Sequence, residues 1–287
     1  MKKKKPKTAF SVLFILIIAP ALLSAAGGDE IKYRREFEII PGKDLKIEID
    51  VDAATVEIAP NERTREVSIS LYYTEDAFDY DIDFNERSHR LFIAFEKKDW
   101  MKSEKGHLKA ELRILLPSES TLDVVARIKA GEVEMDLGGL SIRRFVNKIW
   151  AGEVNIDFDQ PNRVPMSWLE INTKVGETVL RRLGNARFRF AEINSGVGEL
   201  NIDFSGDMHP DASAEIDLDI GETSIYLPED LGVKMNVRKF LFLSQVDVPF
   251  GFEKMGKYYV SENFDTATKK LDLKIKTGIG QLNIRLR

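Results

Sequence analysis

The sequence predicts an all-β protein whose body is a parallel β-helix, or β-solenoid, behind an irregular N-terminal β cap. Three observations predict it. First, one short block recurs six times: AGEVEMDL at 130–137, AGEVNIDF at 151–158, VGETVLRR at 175–182, VGELNIDF at 197–204, IGETSIYL at 220–227 and IGQLNIRL at 279–286. Its glycines, Gly131, Gly152, Gly176, Gly198, Gly221 and Gly280, are 21, 24, 22, 23 and 59 residues apart, and a near-constant spacing in this range is the signature of stacked repeats. Second, polarity inside the blocks alternates with period two, which marks a strand with one buried face. Third, no 3.6-residue pattern runs through the repeats, and there is no room for a helix within one period.

From the N-terminus, the chain opens MKKKKPKTAFSVLFILIIAPALLSAAGGDE. Lys2 to Lys5 and Lys7 precede an apolar run over residues 10–23 that Pro20 interrupts, and Ser24 and Ala26 are small. That is the layout of a secretory signal peptide over residues 1–26. The run falls short of the roughly 20 apolar residues that a spanning helix needs. The expectation is therefore export, to the periplasm or the cell surface, with no transmembrane anchor left after cleavage. The first 26 residues hold five of the 42 basic groups, leaving 37 against 47 acidic ones, a net charge of −10. Such an acidic chain argues against nucleic acid, whose phosphates select basic patches. With no cysteine there are no disulfides, so stability rests on a buried apolar core.

Residues 27–118 are expected to form the cap and first coils. LKIEIDVDAATVEIA, EVSISLYY, YDIDF, RLFIAF and LKAELRILL all alternate, NERSH at 85–89 predicts a hairpin turn, and KKDWMKSEKGH at 97–107 predicts a polar loop. Residues 119–287 are the repeat body. Before Gly131 the apolar residues Leu122, Val124, Ala126 and Ile128 lie at odd offsets; after it, Val133, Met135 and Leu137 lie at even ones. A continuous flat strand keeps its parity, so the chain must turn a corner at the glycine, which tolerates the required backbone angles. The repeats predict eight to ten coils in all. Residues 231–270 interrupt them and are expected to supply one irregular coil and a loop or short helix near Asp265 to Lys270.

The segment ELRILLPSESTLDVVARIKAGEVEMDLGGLSIRRFVNKIWAGEVNIDF, residues 111–158, resembles the toastrack family of bacterial envelope β-solenoids. VGELNIDFSGD at 197–207 and IGETSIYLPEDLGVKM at 220–235 are similar to it, and residues 258–286 resemble the C-terminal end of cell-envelope stress regulators of the LiaF type. The resemblance implies a right-handed stack of β coils with a noncatalytic role at the cell envelope, adhesin-like in kind.

Several residue sets are candidates for function. GVGELNIDF at 196–204 is not a nucleotide loop: Asn201 stands where the third glycine belongs, and it lies in a strand. Glu132, Glu153, Glu177, Glu199, Glu222 and Gln281 would stack as an outward ladder at about 4.8 Å, where bare carboxylates repel by about 1 kcal/mol even in water. Solvent, neighbouring lysines or corner amides could relieve this; so could calcium, which takes oxygen ligands, although no cofactor is otherwise called for. Asp79, Asp81 and Asp83 alternate along one strand face in the same way. Trp150 falls two residues before its glycine, with Lys129 and Lys174 at the equivalent places on either side. That predicts a cation–π ladder or, with Trp168 or Tyr226 nearby, an aromatic platform for a sugar. His89, His107 and His209 are isolated and read as surface residues. No GxSxG elbow and no cysteine nucleophile occur, so no catalytic residue is assigned. The reading is a noncatalytic envelope module that binds or scaffolds an envelope protein or polysaccharide. A carbohydrate-active β-helix enzyme, or an adhesin-like polysaccharide binder, is the alternative. Self-association through the last strand, QLNIRLR at 281–287, is expected if that edge is uncovered.

Overall fold

The computed structural model describes residues 30–98, 108–240 and 243–287; the leader over 1–26 and most of the 97–107 loop, His107 included, lie outside them. Along the chain run β1 (Glu30–Glu38), β2 (Leu45–Ala53), β3 (Thr55–Pro60), β4 (Glu66–Thr74), β5 (Phe78–Asn85), β6 (Arg90–Lys97), β7 (Ala110–Leu116), β8 (Leu122–Asp136), β9 (Ile142–Asp157), β10 (Trp168–Arg181), β11 (Phe190–Asp203) and β12 (Asp211–Leu227). β13 (Gly232–Lys239), β14 (Ser244–Asp247), β15 (Phe252–Met255), β16 (Tyr258–Ser261) and β17 (Lys270–Leu286) follow. Among the described residues one 3₁₀ turn, Leu183–Ala186, interrupts them. All seventeen strands belong to one hydrogen-bonded network.

The six strands that carry a repeat glycine run through it without a break and bend there. β10 shows how. Leu169, Ile171 and Thr173 point in, Lys174, Val175, Gly176 and Glu177 all lie on the outside, and Thr178 and Leu180 point in again. Each rung thus has two arms joined at an outward corner. The corner glycines stand in register from Gly131 to Gly280, with φ between 136° and 148°, where an L side chain is strained. Rungs are parallel and stack in the order β2/β3, β8, β9, β10, β11, β12, β17 and β13/β14. The core lies between the inner faces of the two arms. Return segments close its third side with Leu137, Leu140, Phe158, Met166, Leu183, Phe188 and Phe204, all fully buried.

The far end departs from expectation. β17 pairs directly with β12, Gly221 against Gly280, so no irregular coil intervenes between the last two repeats. Residues 231–270 instead lay β13 and β14 on the outer side of β17, with β16 and β15 as a further hairpin. Of the loop or short helix expected near Asp265 to Lys270, the structure forms the loop, with turns over 262–266 and bends at 268–269. β14 covers the first part of QLNIRLR, pairing with β17 from Gly280 to Asn283, and among the described residues no strand pairs with β17 beyond Asn283 on that side. A rung is placed by matching its neighbour's corner, and IGQL matches IGET better than anything between them does.

At the other end β6 and β7 flank the first rung, and β5, β4 and β1 extend the arms antiparallel. The turn over 86–89 joins β5 to β6 as a hairpin, Asn85 opposite Arg90. β1 folds against β5 across the core mouth: Tyr33 meets Tyr80 at 4.6 Å, Phe37 meets Phe84 at 5.2 Å, and the Arg35 guanidinium donates to the Ile82 carbonyl at 2.8 Å. Burial pushes the Tyr73 phenol beneath them up to about 12. His89 is not a surface residue. It is 1% exposed in a left-handed turn, its Nδ1 3.1 Å from the Asp44 carbonyl.

A few core positions break the apolar pattern, Asn147, Thr173 and Thr178 among them. Asn147 is fully buried between Ala126 and Ile171 in adjacent rungs, and neither its amide nitrogen nor its oxygen has a hydrogen-bond partner. An unsatisfied buried polar group costs about 1–3 kcal/mol. Asn147→Val, β-branched and of similar size, is therefore expected to raise the thermal midpoint by several degrees. A lowered midpoint would show that a buried water satisfies the amide.

Candidate binding face at the glycine corner

Because four consecutive residues face outward at each corner, the residue just before the glycine is exposed along with those on either side of it. In register these residues are Ala130, Ala151, Val175, Val197, Ile220 and Ile279. The last four are 51%, 45%, 46% and 44% exposed. β14 extends the row: Ser244 pairs with Gly280, which puts exposed Leu243 beside Ile279. Trp150, 67% exposed, adjoins the row at β9. Large exposed apolar residues are thus aligned along one line of the stack. A half-exposed Val or Ile leaves on the order of 1 kcal/mol of apolar burial unrealised, and a contiguous apolar strip marks an interaction surface more often than scattered residues do.

On the other side of the glycines runs the acidic row. Glu132, Glu153, Glu177, Glu199 and Glu222 stack in register and end on Gln281. The five glutamates are exposed. Glu222 accepts a hydrogen bond from the Asn283 amide at 2.7 Å. The other four meet no cation among the described residues, although ion pairs are plentiful elsewhere. On the first arm Arg127 pairs with Asp50, Arg144 with Asp123, Lys148 with Glu170, Lys274 with Glu215 and Lys276 with Asp217. The chain neutralises its outward charge from rung to rung there, and leaves it standing at the corner.

The residues flanking Trp150 do not form the expected cation–π ladder. Lys129 and Lys174 occupy the neighbouring rungs, but Lys129 turns to Asp52, and no cation–π contact joins either lysine to Trp150 among the described residues. Asp52 draws Lys129 away because a charge-assisted hydrogen bond outweighs an exposed cation–π contact, and it holds the ammonium pKa above its ordinary value. Nor is an aromatic platform assembled. Trp168 lies at the start of β10, opposite Arg144, and stacks on Phe190 at 4.9 Å. Tyr226 lies on the second arm, opposite Asp203 and Arg285. Asp81 and Asp83 line a shallow hollow of about 590 Å³ with Glu48, Asn85 and Arg90; Asp79 pairs with Lys98 at 3.3 Å. Asp136, near Asp157 and Asp159, has a pKa raised above the usual carboxylate range, chiefly by burial, but Arg182 claims Asp157. No group of three or more His, Cys, Asp or Glu among the described residues is arranged to hold a metal ion.

The apolar row was legible and overlooked. In all six blocks the residue before the glycine is Ala, Val or Ile, yet a two-residue alternation assigns that place no side until the corner is known.

Residues 26–163 match the family model for the N-terminal domain of toast_rack, and residues 181–284 match that for the C-terminal part of the cell wall-active antibiotics response protein LiaF. The chain is a toast-rack protein. Neither family model describes an enzyme. Among solved structures, this toast-rack chain is similar to a "putative cell adhesion protein" from Clostridium sporogenes, at 16% identity and a TM-score of 0.48, over 90% of this chain and 100% of that one. It is also similar to a "putative adhesin" from Bacteroides fragilis, at 13% identity and a TM-score of 0.36, over 89% and 97%. No curated protein matches it in sequence. No described helix of the toast-rack chain is long and apolar enough to cross a membrane.

Proposed function

We propose that this toast-rack protein is an exported, noncatalytic binding module of the bacterial cell envelope, and that the glycine corner is the face it binds with. The observation that carries the reading is the alignment of Val175, Val197, Ile220 and Ile279 beside glutamates that no cation among the described residues neutralises. A solenoid suits the task, because stacking turns one residue per coil into a continuous strip. Noncatalysis is supported by the first arm, where the outward carboxylates of Asp50, Asp123, Glu170, Glu215 and Asp217 are engaged in rung-to-rung ion pairs rather than in a cleft.

The test uses the full chain in the cells that make it. Val197→Lys combined with Ile220→Lys replaces two exposed residues, so folding should survive. Fractionation is expected to recover the wild type with the envelope and the double variant largely in the soluble exported fraction. Equal retention of both would remove the corner as the binding face; recovery of both in the cytoplasm would remove export.

A further inference from the structure

Resting on that reading, we infer that the partner presents a basic amphipathic α-helix, laid along the stack with its apolar face on the Val175–Ile279 row and its cations over the glutamates. Spacing and charge support this. Rungs repeat at about 4.8 Å and a helix at about 5.4 Å per turn, a mismatch of about 0.6 Å per rung, so helical turns stay within about half a spacing of the rungs over about four of them. A strand laid the same way repeats its side chains at about 6.7 Å and falls out of step within two rungs. From Ala151 to Leu243 the row crosses five rung intervals, about 24 Å, the length of about 16 helical residues. Trp150 closes one end as a large exposed anchor, of the kind that dominates interface energetics.

Charge selects among the occupants. Glu132, Glu153, Glu177 and Glu199 have no cation of their own among the described residues, and a row of like charge favours a cationic partner and repels an anionic lipid surface. A second copy fits less well. The strip is only about two side chains wide, so ridge-on-ridge contact falls short of the roughly 800 Å² per partner of a stable interface.

The probe is an 18-residue peptide of leucine and lysine in helical periodicity, with a leucine–glutamate peptide of the same pattern as control. Fluorescence anisotropy against the full chain is expected to show binding of the lysine peptide alone, weakening as salt rises. Val197→Lys with Ile220→Lys, and separately Glu177→Gln with Glu199→Gln, should each weaken it at least tenfold. Asp81→Asn with Asp83→Asn, which removes the same charge from the cap, should change it less than twofold. Equal losses in the cap and corner variants would reduce the effect to net charge and overturn the proposal. So would a dimer that Val197→Lys dissociates, or adsorption to anionic vesicles that the corner variants abolish. If the corner variants lose envelope retention while the lysine peptide never binds, the helical partner falls and the binding face stands.

Discussion

Gly176→Ala is expected to leave no cooperatively folded repeat body at physiological temperature. The added methyl carbon would lie 1.8 Å from the carbonyl oxygen of Gly152 and 2.8 Å from its carbon. Both are backbone atoms held by ladder hydrogen bonds, so neither can rotate away. The residue would also keep a φ of 136°, where an L side chain costs about 1–3 kcal/mol before any overlap is counted. Relief requires prying two rungs apart at the corner, which breaks register on both arms. A total above about 4 kcal/mol is expected, against a stability of about 5–15 kcal/mol for a typical domain. Circular dichroism and denaturant titration of the purified chain measure it; a folded variant within 1 kcal/mol of the wild type would refute the stacking account. Ala54 supplies the internal contrast. It holds the corner place on the first rung, and its carbonyl is the atom that a side chain on Gly131 would strike. Beyond it lie separate strands rather than another bent rung, so a side chain is tolerated there, as it is at the opposite end of the stack, where Ser244 takes the place beside Gly280.

Asn162→Leu is expected to cost about 3–5 kcal/mol, at the upper end for a single polar substitution. Its side chain is fully buried and stands in for a strand that is missing. β9 begins at Ile142, two residues before β10 can reach it, since Trp168 pairs with Arg144. The register of β8 on β9 also slips there, between Leu122 and Asp123. Ile142 therefore has no neighbouring backbone on that side. Asn162 supplies both halves of the missing ladder: its Oδ1 accepts from the Ile142 amide at 2.8 Å, and its Nδ2 donates to the Ile142 carbonyl at 2.7 Å and the Val164 carbonyl at 2.6 Å. Leucine fills the volume and leaves a buried donor and acceptor unpaired. Asn162→Asp keeps the accepting half but sets a second oxygen against the Ile142 and Val164 carbonyls, and is expected to cost at least as much as leucine. Denaturant midpoints at constant slope order the three proteins; a leucine variant as stable as the wild type would mean that water reaches Ile142. Asn185 repeats the device one coil on, donating to the Phe158 carbonyl at 2.9 Å and accepting from the Asp207 amide at 2.7 Å.

Neither asparagine was legible as a structural residue. Each sits in a return segment whose course depends on the rung beneath it, and a loop asparagine reads as a turn former from sequence alone. Asn147 was hidden for the opposite reason: alternation assigns it inward, and nothing local tells that it finds no partner there. Lys129 was misjudged because its competitor, Asp52, lies 77 positions away in the chain and on the adjacent rung. Sequence spacing sees the stacking of like positions. It does not see which of two neighbours a flexible cation will choose.

By itself the sequence determined the repeat, the two-residue alternation, the parity switch and hence a corner at every glycine. These are local consequences of strand geometry, of the backbone freedom of glycine and of a period that brings like residues over one another. Only the tertiary structure decided the order of the rungs at the C-terminal end, where β17 slots beside β12 and β13 and β14 move outboard. It alone decided which outward charges are neutralised and which are left bare. Both depend on contacts between segments far apart in the chain, whose free energies are set by register and burial in the finished stack.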